Sequence, residues 1–240
     1  MLKFLAADEV IFNSNYNLGS FMSNLRRHLN IQPDFKPDGT QIIDVLQKKA
    51  VVLYFPIYEE LRLISCEKGP RLDSLHIIWP HRWEHDKNPE ALFQTLYVLQ
   101  EQGVNFSLSV LGESYAETPL VFEEAKLRLK DNIHHFGFAE SREKYYQILR
   151  SGDVIVSTAL HEFFGVSMLE GTYLGCFPLV PDRLVYPELY PPECIYRTDA
   201  QLTKKLKKFA LNPTELRNEK PYINYDKFSF DSLYSLLIAS

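Results

Sequence analysis

From residue 74 onward, short apolar segments alternate with longer segments whose apolar residues recur at helical spacing. Apolar runs of about four to six residues are typical of strands buried on both faces of a sheet, whereas recurrence every three or four residues is typical of an amphipathic helix. The predicted strands span residues 75–80, 106–111, 133–138, 154–157 and 177–180. The predicted helices span residues 89–102, 121–130, 141–149, 166–174 and 202–210. This alternation predicts an α/β fold with a parallel sheet covered by helices on both faces.

The ends of the predicted helices carry recognisable signals. Pro89 stands in the first turn of one helix, where its missing N–H is not needed, and Gly103 follows the last turn of the same helix. Ser141 precedes another helix and can cap it through its side-chain oxygen. These signals support the helical assignment independently of hydrophobic spacing.

The chain outside this region is organised differently. Residues 10–14 and 50–56 are predicted strands, residues 18–29 a polar helix, and residues 32–40 a loop rich in Pro and Asp. Residues 58–73 have mixed charge, a Gly-Pro pair and no clear period, which is typical of a linker. We therefore expect a first unit at residues 1–57, a linker at 58–73, a main domain at 74–225 and a C-terminal helix at 226–240.

The most informative segment follows the strand predicted at residues 154–157. Residues 161–170 have the sequence His-Glu-Phe-Phe-Gly-Val-Ser-Met-Leu-Glu, which predicts a tight turn and then a helix. Glu162 falls on the turn and Glu170 about one turn inside the helix. Gly165 and Val166 place backbone N–H groups at the helix N-terminus, where an anion is favoured.

These residues could hold three parts of one ligand: a sugar on one carboxylate, a ribose on the other, and a phosphate on the amides. The simpler alternative is that Glu162 and Glu170 are solvated surface carboxylates. The insert containing Phe164 and Gly165 favours ligand binding over this alternative, because glycine allows the backbone to come close to a ligand. His161 could contact a sugar hydroxyl or have only a structural role.

A second candidate cluster follows the strand predicted at residues 75–80. Arg82 and Lys87 flank a turn at the edge of the sheet where the carboxyl ends of the strands lie. Ligands of parallel sheets bind at this edge, and two fixed cations there suit a diphosphate. The alternative is that both cations pair with nearby carboxylates at Glu84, Asp86 or Glu90 on the surface.

Composition and charge exclude several classes of function. The chain has 240 residues, a net charge of −5 and 45% apolar residues, so a globular core is expected but a general attraction to nucleic acid or anionic membrane is not. No apolar run reaches the roughly 18 residues that span a bilayer, so we expect no membrane association. The one dense basic run, residues 204–208, is either a solvated helix face or a contact for a phosphate backbone.

Metal and cofactor signals are also missing from the sequence. The three cysteines and the histidines, including His81 and His85, match no zinc spacing. No glycine-rich dinucleotide fingerprint, P-loop or Gly-x-Ser-x-Gly elbow occurs. We therefore expect neither a metal nor a cofactor.

Taken together, these motifs resemble the nucleotide-binding half of retaining GT-B glycosyltransferases with a Glu-x7-Glu motif. The resemblance implies that Arg82 and Lys87 hold the diphosphate, that Glu162 contacts the sugar and that Glu170 contacts the ribose. Gly112 and Phe138 match the family's loops near the nucleotide, and Pro187-Glu188 resembles its late Pro-Glu element. The implied fold is a Rossmann-like C-terminal domain, preceded by the tail end of a truncated N-terminal Rossmann-like domain.

The string Trp-Pro-His-Arg-Trp-Glu-His-Asp-Lys at residues 79–87 narrows the resemblance to members that modify transfer RNA. Such members move mannose from GDP-mannose to the queuosine base at the wobble position of cytoplasmic tRNA(Asp). The resemblance thus implies a sugar-nucleotide donor, a tRNA acceptor and a location in the cytoplasm, with the nucleus as a further possibility. Because acceptors of this family usually lie on the N-terminal domain, a nucleotide-sugar-binding chain without transfer activity is the alternative.

Overall fold

The computed structural model describes residues 2–31, 39–57, 61, 74–113, 118–219, 221–231, 233 and 235. The chain divides into two compact units, one formed by Met1–Pro56 with Asp226–Ser240 and the other by Ile57–Tyr225. Apart from Leu61, the linker predicted at residues 58–73 lies outside the described residues. The two units are therefore described separately.

Within the described residues, the larger unit contains a parallel sheet of six strands. The strands are β3 (Leu75–Pro80), β4 (Phe106–Leu111), β5 (Ile133–Gly137), β6 (Val154–Val156), β7 (Phe177–Pro181) and β8 (Ile195–Tyr196). Their order across the sheet is β5-β4-β3-β6-β7-β8. The chain therefore starts in the middle, builds one half of the sheet outward, and returns to build the other half, as in doubly wound nucleotide-binding folds.

Helices connect these strands. The described helices of eight residues or more in this unit are Pro89–Glu101, Val121–Arg128, Arg142–Ser151, Val166–Tyr173 and Asp199–Leu211. Ser141 caps its helix as predicted, because its hydroxyl accepts a hydrogen bond from the amide of Lys144 at 3.1 Å. Short helices at Tyr186–Leu189 and Pro213–Asn218, and the two-residue strand β8, were not predicted because they are too short to show a period.

The core of the larger unit lies on the central strands. Every residue of β3 is buried, which is why its sequence shows an apolar run instead of alternation. Burying each Leu or Ile of this strand contributes about 1.5–3 kcal/mol. β3 pairs with β4 from Leu75 opposite Phe106 onward, and with β6 through Ile78 opposite Ile155. This register places the ends of β3 and β6 side by side.

In the described part of the smaller unit, two strands pair in parallel, β1 (Val10–Phe12) and β2 (Ala50–Val52). Its described helices are Leu2–Ala6, Asn15–Ile31 and Gly39–Lys48. The side chains of Val10, Phe12, Met22, Ile43 and Leu46 form its core. The Nζ of Lys49 donates to the carbonyl oxygens of Leu5 and Ala7, both at 2.7 Å.

Several predictions for the smaller unit need correction. The strand predicted at residues 50–56 ends at Val52, and the segment 39–48, for which no helix was predicted, is helical. The helix predicted at residues 18–29 begins earlier, at Asn15, because the Ser14 hydroxyl accepts a hydrogen bond from the amide of Asn17 at 3.0 Å. Among the described residues near the C-terminus, a 3-10 turn spans Tyr225–Phe228, and Phe230 and Asp231 are helical.

Candidate active site

The candidate site lies between β3 and β6, at the topological switch point where the strand order reverses direction. The loop after β3 carries Arg82 and Lys87, and the loop after β6 carries Glu162. Because β3 and β6 are parallel neighbours, both loops leave the sheet at the same edge. In open parallel sheets this crevice is the usual place for a ligand.

Lys87 lies at the centre of this crevice. Its side chain is only 8% exposed, and its Nζ donates to the carbonyl oxygen of His161 at 2.7 Å. The same Nζ lies 3.1 Å from Oδ2 of Asp86 and 3.5 Å from Oε2 of Glu162. A buried ammonium requires such partners, and here they come from both loops.

The two loops are also joined through their backbones. The amide of Leu160 donates to the carbonyl oxygen of Asp86 at 2.8 Å, and the Thr158 hydroxyl donates to that of Lys87 at 2.8 Å. On the other side, the guanidinium of Arg183 donates to the carbonyl oxygens of Thr158 and Ala159. The position of Lys87 relative to Glu162 is therefore set by several hydrogen bonds besides their own contact.

Glu162 has a defined orientation. Its Oε1 accepts hydrogen bonds from the amides of Phe163 at 3.0 Å and Phe164 at 3.2 Å, while Oε2 faces Lys87. The alternative of a solvated surface carboxylate therefore does not hold for Glu162. Its side chain keeps 20% exposure, which leaves part of the carboxylate accessible to a ligand.

Gly165 begins the helix Val166–Tyr173 with a φ of 79°, a left-handed conformation that glycine adopts without strain. Phe164 before it is buried and anchors the turn. The amides in the first turn of a helix have no partner within the helix and carry its positive end. The structure thus forms the strand, turn and helix start that the sequence predicted at this point.

Glu170 lies farther along the same helix and is 5% exposed. Its Oε2 accepts a hydrogen bond from the Tyr145 hydroxyl at 3.1 Å, and Oε1 accepts one from Tyr146 at 3.5 Å. Burial raises the pKa of Glu170, while the two hydroxyls and the charge of Arg142 act in the opposite direction. Glu170 is therefore a buried, hydrogen-bonded carboxylate and not a solvated one.

Arg82 differs from Lys87 in exposure, although the same diphosphate-binding role was predicted for both residues. Its side chain is 57% exposed and forms an ion pair with Glu84 at 3.1 Å. The surface pairing considered as the alternative is therefore present for Arg82. His161 is exposed, its ring packs against Phe163, and its backbone carbonyl is the part that contacts Lys87.

A cavity of about 550 Å³ adjoins this crevice at the ends of β3, β4 and β5. Arg82, Gly112, Phe138 and Tyr145 are among its lining residues. A Cβ on Gly112 would clash with the carbonyl oxygen of His81, so only glycine fits there. Phe138 is 68% exposed, so its ring is available to a flat group. The volume is within the range of small-ligand sites.

Tyr145 and Tyr146 were not assigned a role from the sequence, and Asp86 was considered only as a surface ion-pair partner of the two cations. Asp86 contacts Lys87, and Tyr145 with Tyr146 contact Glu170. His81 was considered only as a metal ligand; it is buried, and burial together with the charge of Lys87 lowers its pKa to about 3. The tyrosines carry no sequence signal, because they lie on a different helix from Glu170 and 25 and 24 positions before it.

The described part of the chain offers neither a metal site nor a membrane span. Within it, no group of three or more His, Cys, Asp or Glu side chains could hold a metal ion. Likewise, no helix in the described ranges has the length and apolar character needed to cross a bilayer.

Comparison with known families gives two matches along the chain. Residues 65–219 match the family described as glycosyl transferases group 1. Residues 1–57 match the family described as tRNA-queuosine alpha-mannosyltransferase N-terminal. A Drosophila melanogaster protein named tRNA-queuosine alpha-mannosyltransferase is 46% identical over 244 residues, which cover 97% of this chain and 64% of the relative. The chain thus spans somewhat less than two thirds of the length of this relative.

Solved structures share the fold at low sequence identity. A glycosyltransferase from Rickettsia africae has a TM-score of 0.69 at 16% identity, covering 97% of this chain and 62% of its own. HepE from Anabaena, in complex with UDP, has a TM-score of 0.67 at 13% identity, covering 97% of this chain and 63% of its own. These similarities confirm the predicted α/β fold of GT-B type. The match to this family, residues 65–219, covers more than half of the chain, so the chain belongs to the glycosyl transferases group 1 family.

Proposed function

We propose that this chain carries the donor site of a retaining glycosyltransferase that transfers mannose from GDP-mannose to the queuosine base at the wobble position of tRNA(Asp). Family membership supports glycosyl transfer. The name of the Drosophila relative and the match of residues 1–57 support queuosine in tRNA as the acceptor and mannose as the sugar. GDP as the nucleotide follows from the resemblance of residues 79–87 described above.

One observation carries the donor assignment. The ammonium of Lys87 is buried at the crevice between β3 and β6 and lies 3.5 Å from Glu162. A cation there can hold a phosphate, while the adjacent carboxylate can accept hydrogen bonds from sugar hydroxyls. A phosphate and a sugar bound side by side are what a sugar nucleotide presents.

The remaining parts of the donor have matching places. The diphosphate would be held by Lys87, by Arg82 after it leaves Glu84, and by the amides of Gly165 and Val166. Glu170 would accept the ribose hydroxyls. The base would enter the cavity next to Gly112, where the exposed ring of Phe138 offers a stacking surface.

During transfer, negative charge grows on the departing diphosphate as its bond to the sugar breaks. Lys87 and Arg82 would stabilise that charge, which lowers the barrier more than it stabilises the bound donor. The acceptor would attack the anomeric carbon from the face that the diphosphate leaves, and the departing phosphate would take the acceptor's proton. Glu162 would orient the sugar so that the anomeric carbon faces the acceptor.

The first experiment tests the diphosphate site. GDP and GDP-mannose are titrated by calorimetry into wild type, Arg82→Ala and Arg197→Ala. Arg197 is the matched control, because it also forms an exposed ion pair, at 2.9 Å with Asp182, but lines no part of the cavity. We expect about tenfold weaker binding for Arg82→Ala, the loss of one charge-assisted hydrogen bond, and no change for Arg197→Ala. Equal affinity in Arg82→Ala and wild type would contradict the diphosphate assignment.

The second experiment tests base and acceptor. UDP and ADP replace GDP in the calorimetry, and mannose transfer to queuosine-containing tRNA is assayed for this chain beside the full-length Drosophila relative. We expect GDP to bind more tightly than UDP or ADP. Donor binding by this chain without transfer, while the relative transfers mannose, would favour the silent binding module over an active enzyme.

A further inference from the structure

We propose that Tyr145 and Tyr146 are positioning residues, which fix the carboxylate of Glu170 in the orientation that receives the two ribose hydroxyls of the donor. This inference rests on the proposed function, because it concerns how the nucleotide would be held. The two tyrosines belong to the helix Arg142–Ser151, and Glu170 belongs to the helix Val166–Tyr173.

The geometry places one hydroxyl on each carboxylate oxygen. Tyr145 donates to Oε2 at 3.1 Å, and Tyr146 donates to Oε1 at 3.5 Å. Adjacent residues on a helix point in different directions, so two neighbouring tyrosines can reach one carboxylate only if it lies between them. The plane of the Glu170 carboxylate is therefore determined by the helix opposite.

The hydroxyls do not exhaust the acceptor capacity of Glu170. An ionised carboxylate has about four lone-pair sites, and the tyrosines occupy two of them. The two that are left match the two neighbouring hydroxyls of a ribose. Tyr145 also lines the cavity of about 550 Å³, so the hydrogen bond from Tyr145 connects the wall of that cavity to the buried carboxylate.

The charge state of Glu170 depends on its neighbours because water does not surround it. Burial raises the pKa of Glu170, and the hydrogen bonds from Tyr145 and Tyr146 and the charge of Arg142 lower it. Tyr145 itself faces Cys176 as well as Glu170, and its pKa is raised by burial and by the carboxylate, so it remains a donor. Removing either hydroxyl should therefore favour the protonated carboxyl.

A protonated Glu170 accepts hydrogen bonds less well, so nucleotide affinity should fall as the pH falls through the pKa of Glu170. Without one tyrosine hydroxyl this fall should begin at a higher pH. If the tyrosines served only to pack the two helices together, their removal would lower the melting temperature but would not move the pH profile. The pH profile therefore distinguishes a positioning role from a purely structural one.

The test compares wild type, Tyr145→Phe, Tyr146→Phe and the double variant, with Tyr97→Phe as control. Tyr97 is suited to this because its buried hydroxyl has no hydrogen-bond partner among the described residues and lines no part of the cavity. GDP affinity is measured by calorimetry between pH 5 and pH 8, and the carboxyl of Glu170 is titrated by NMR in the free protein. We expect about tenfold weaker GDP binding on the acidic side for each single variant, and a Glu170 titration that moves to higher pH.

The possible outcomes separate this inference from the proposed function. If wild type binds no GDP, UDP or ADP, the proposed function fails, while the NMR titration still shows whether the tyrosines set the charge state of Glu170. If wild type binds GDP but both Phe variants keep its affinity and pH profile, the inference is overturned and the proposed function stands. Tighter binding by Tyr145→Phe would also overturn it, because Tyr145 would then compete with the ribose for Glu170.

Discussion

Replacing Lys87 by methionine tests the centre of the candidate site, because methionine keeps the apolar stem and removes the charge. In the variant, the carboxylates of Asp86 and Glu162 lose an ammonium that lies 3.1 Å and 3.5 Å away. Breaking a fully buried ion pair costs about 3–5 kcal/mol, since the remaining charge is left uncompensated. Here the two carboxylates keep 34% and 20% exposure, so solvent screening lowers the expected cost to about 2 kcal/mol.

This cost predicts two measurable effects. For a chain of this size each kcal/mol corresponds to roughly 2–4 °C, so Lys87→Met should melt about 4–8 °C below wild type. Loss of one charge-assisted hydrogen bond to a phosphate should weaken GDP binding about tenfold to a hundredfold. The two effects are measured by calorimetric melting without ligand and by titration with GDP at a temperature where the variant is folded.

Two further variants make the result interpretable. Lys205→Met is the matched control, because the Nζ of Lys205 also donates to a carbonyl oxygen at 2.7 Å, that of Glu193, but has no carboxylate partner among the described residues. The double variant Lys87→Met with Asp86→Asn should recover part of the melting temperature and none of the GDP affinity. A folded Lys87→Met protein that binds GDP within twofold of wild type would refute the role of Lys87 at the diphosphate.

Two other predictions concern stability. Gly165→Ala should destabilise the protein by about 1 kcal/mol, because a φ of 79° strains a residue with a Cβ although the neighbouring side chains leave room. Gly19→Ala should instead stabilise it by about 0.5–1 kcal/mol, because Gly19 lies in a helix and its added Cβ would have no atom within 4 Å. Equal melting temperatures of the two variants would contradict this reasoning. Burial lowers the pKa of His76 from 6.5 to about 4. Between these two pH values the folded state binds fewer protons than the unfolded state. The free energy of unfolding should therefore fall as the pH drops through this range, by at most about 1.4 kcal/mol per pH unit. His76→Gln should show a smaller decrease of melting temperature between pH 7 and pH 4.5, and an unchanged decrease would exclude His76 as the cause.

The accuracy of the sequence predictions follows from how each element is buried. The predicted strands at residues 75–80 and 106–111 agree with β3 and β4 at both ends, because strands buried on both faces show uninterrupted apolar runs. The helix Gly39–Lys48 was missed although its side chains Ile43 and Leu46 are buried, since its first two residues fall within the loop predicted at residues 32–40. Short elements such as β8 are held by pairing with β7 and show no period of their own.

For the candidate site, the sequence by itself determined which chemical groups are present and that the loops after two strands bring them to one edge of a sheet. Local spacing is enough for this, because alternating strands and helices imply a parallel sheet. Only the tertiary structure decided how those groups differ. Lys87 is buried and is held by both loops, whereas Arg82 is largely exposed and pairs with Glu84. Glu162 is bound by backbone amides and Lys87, whereas Glu170 is buried against Tyr145 and Tyr146 from another helix. The reason is physical: residues distant in sequence bury Lys87 and Glu170 and supply hydrogen-bond partners to both, and those surroundings determine what each charged group can do.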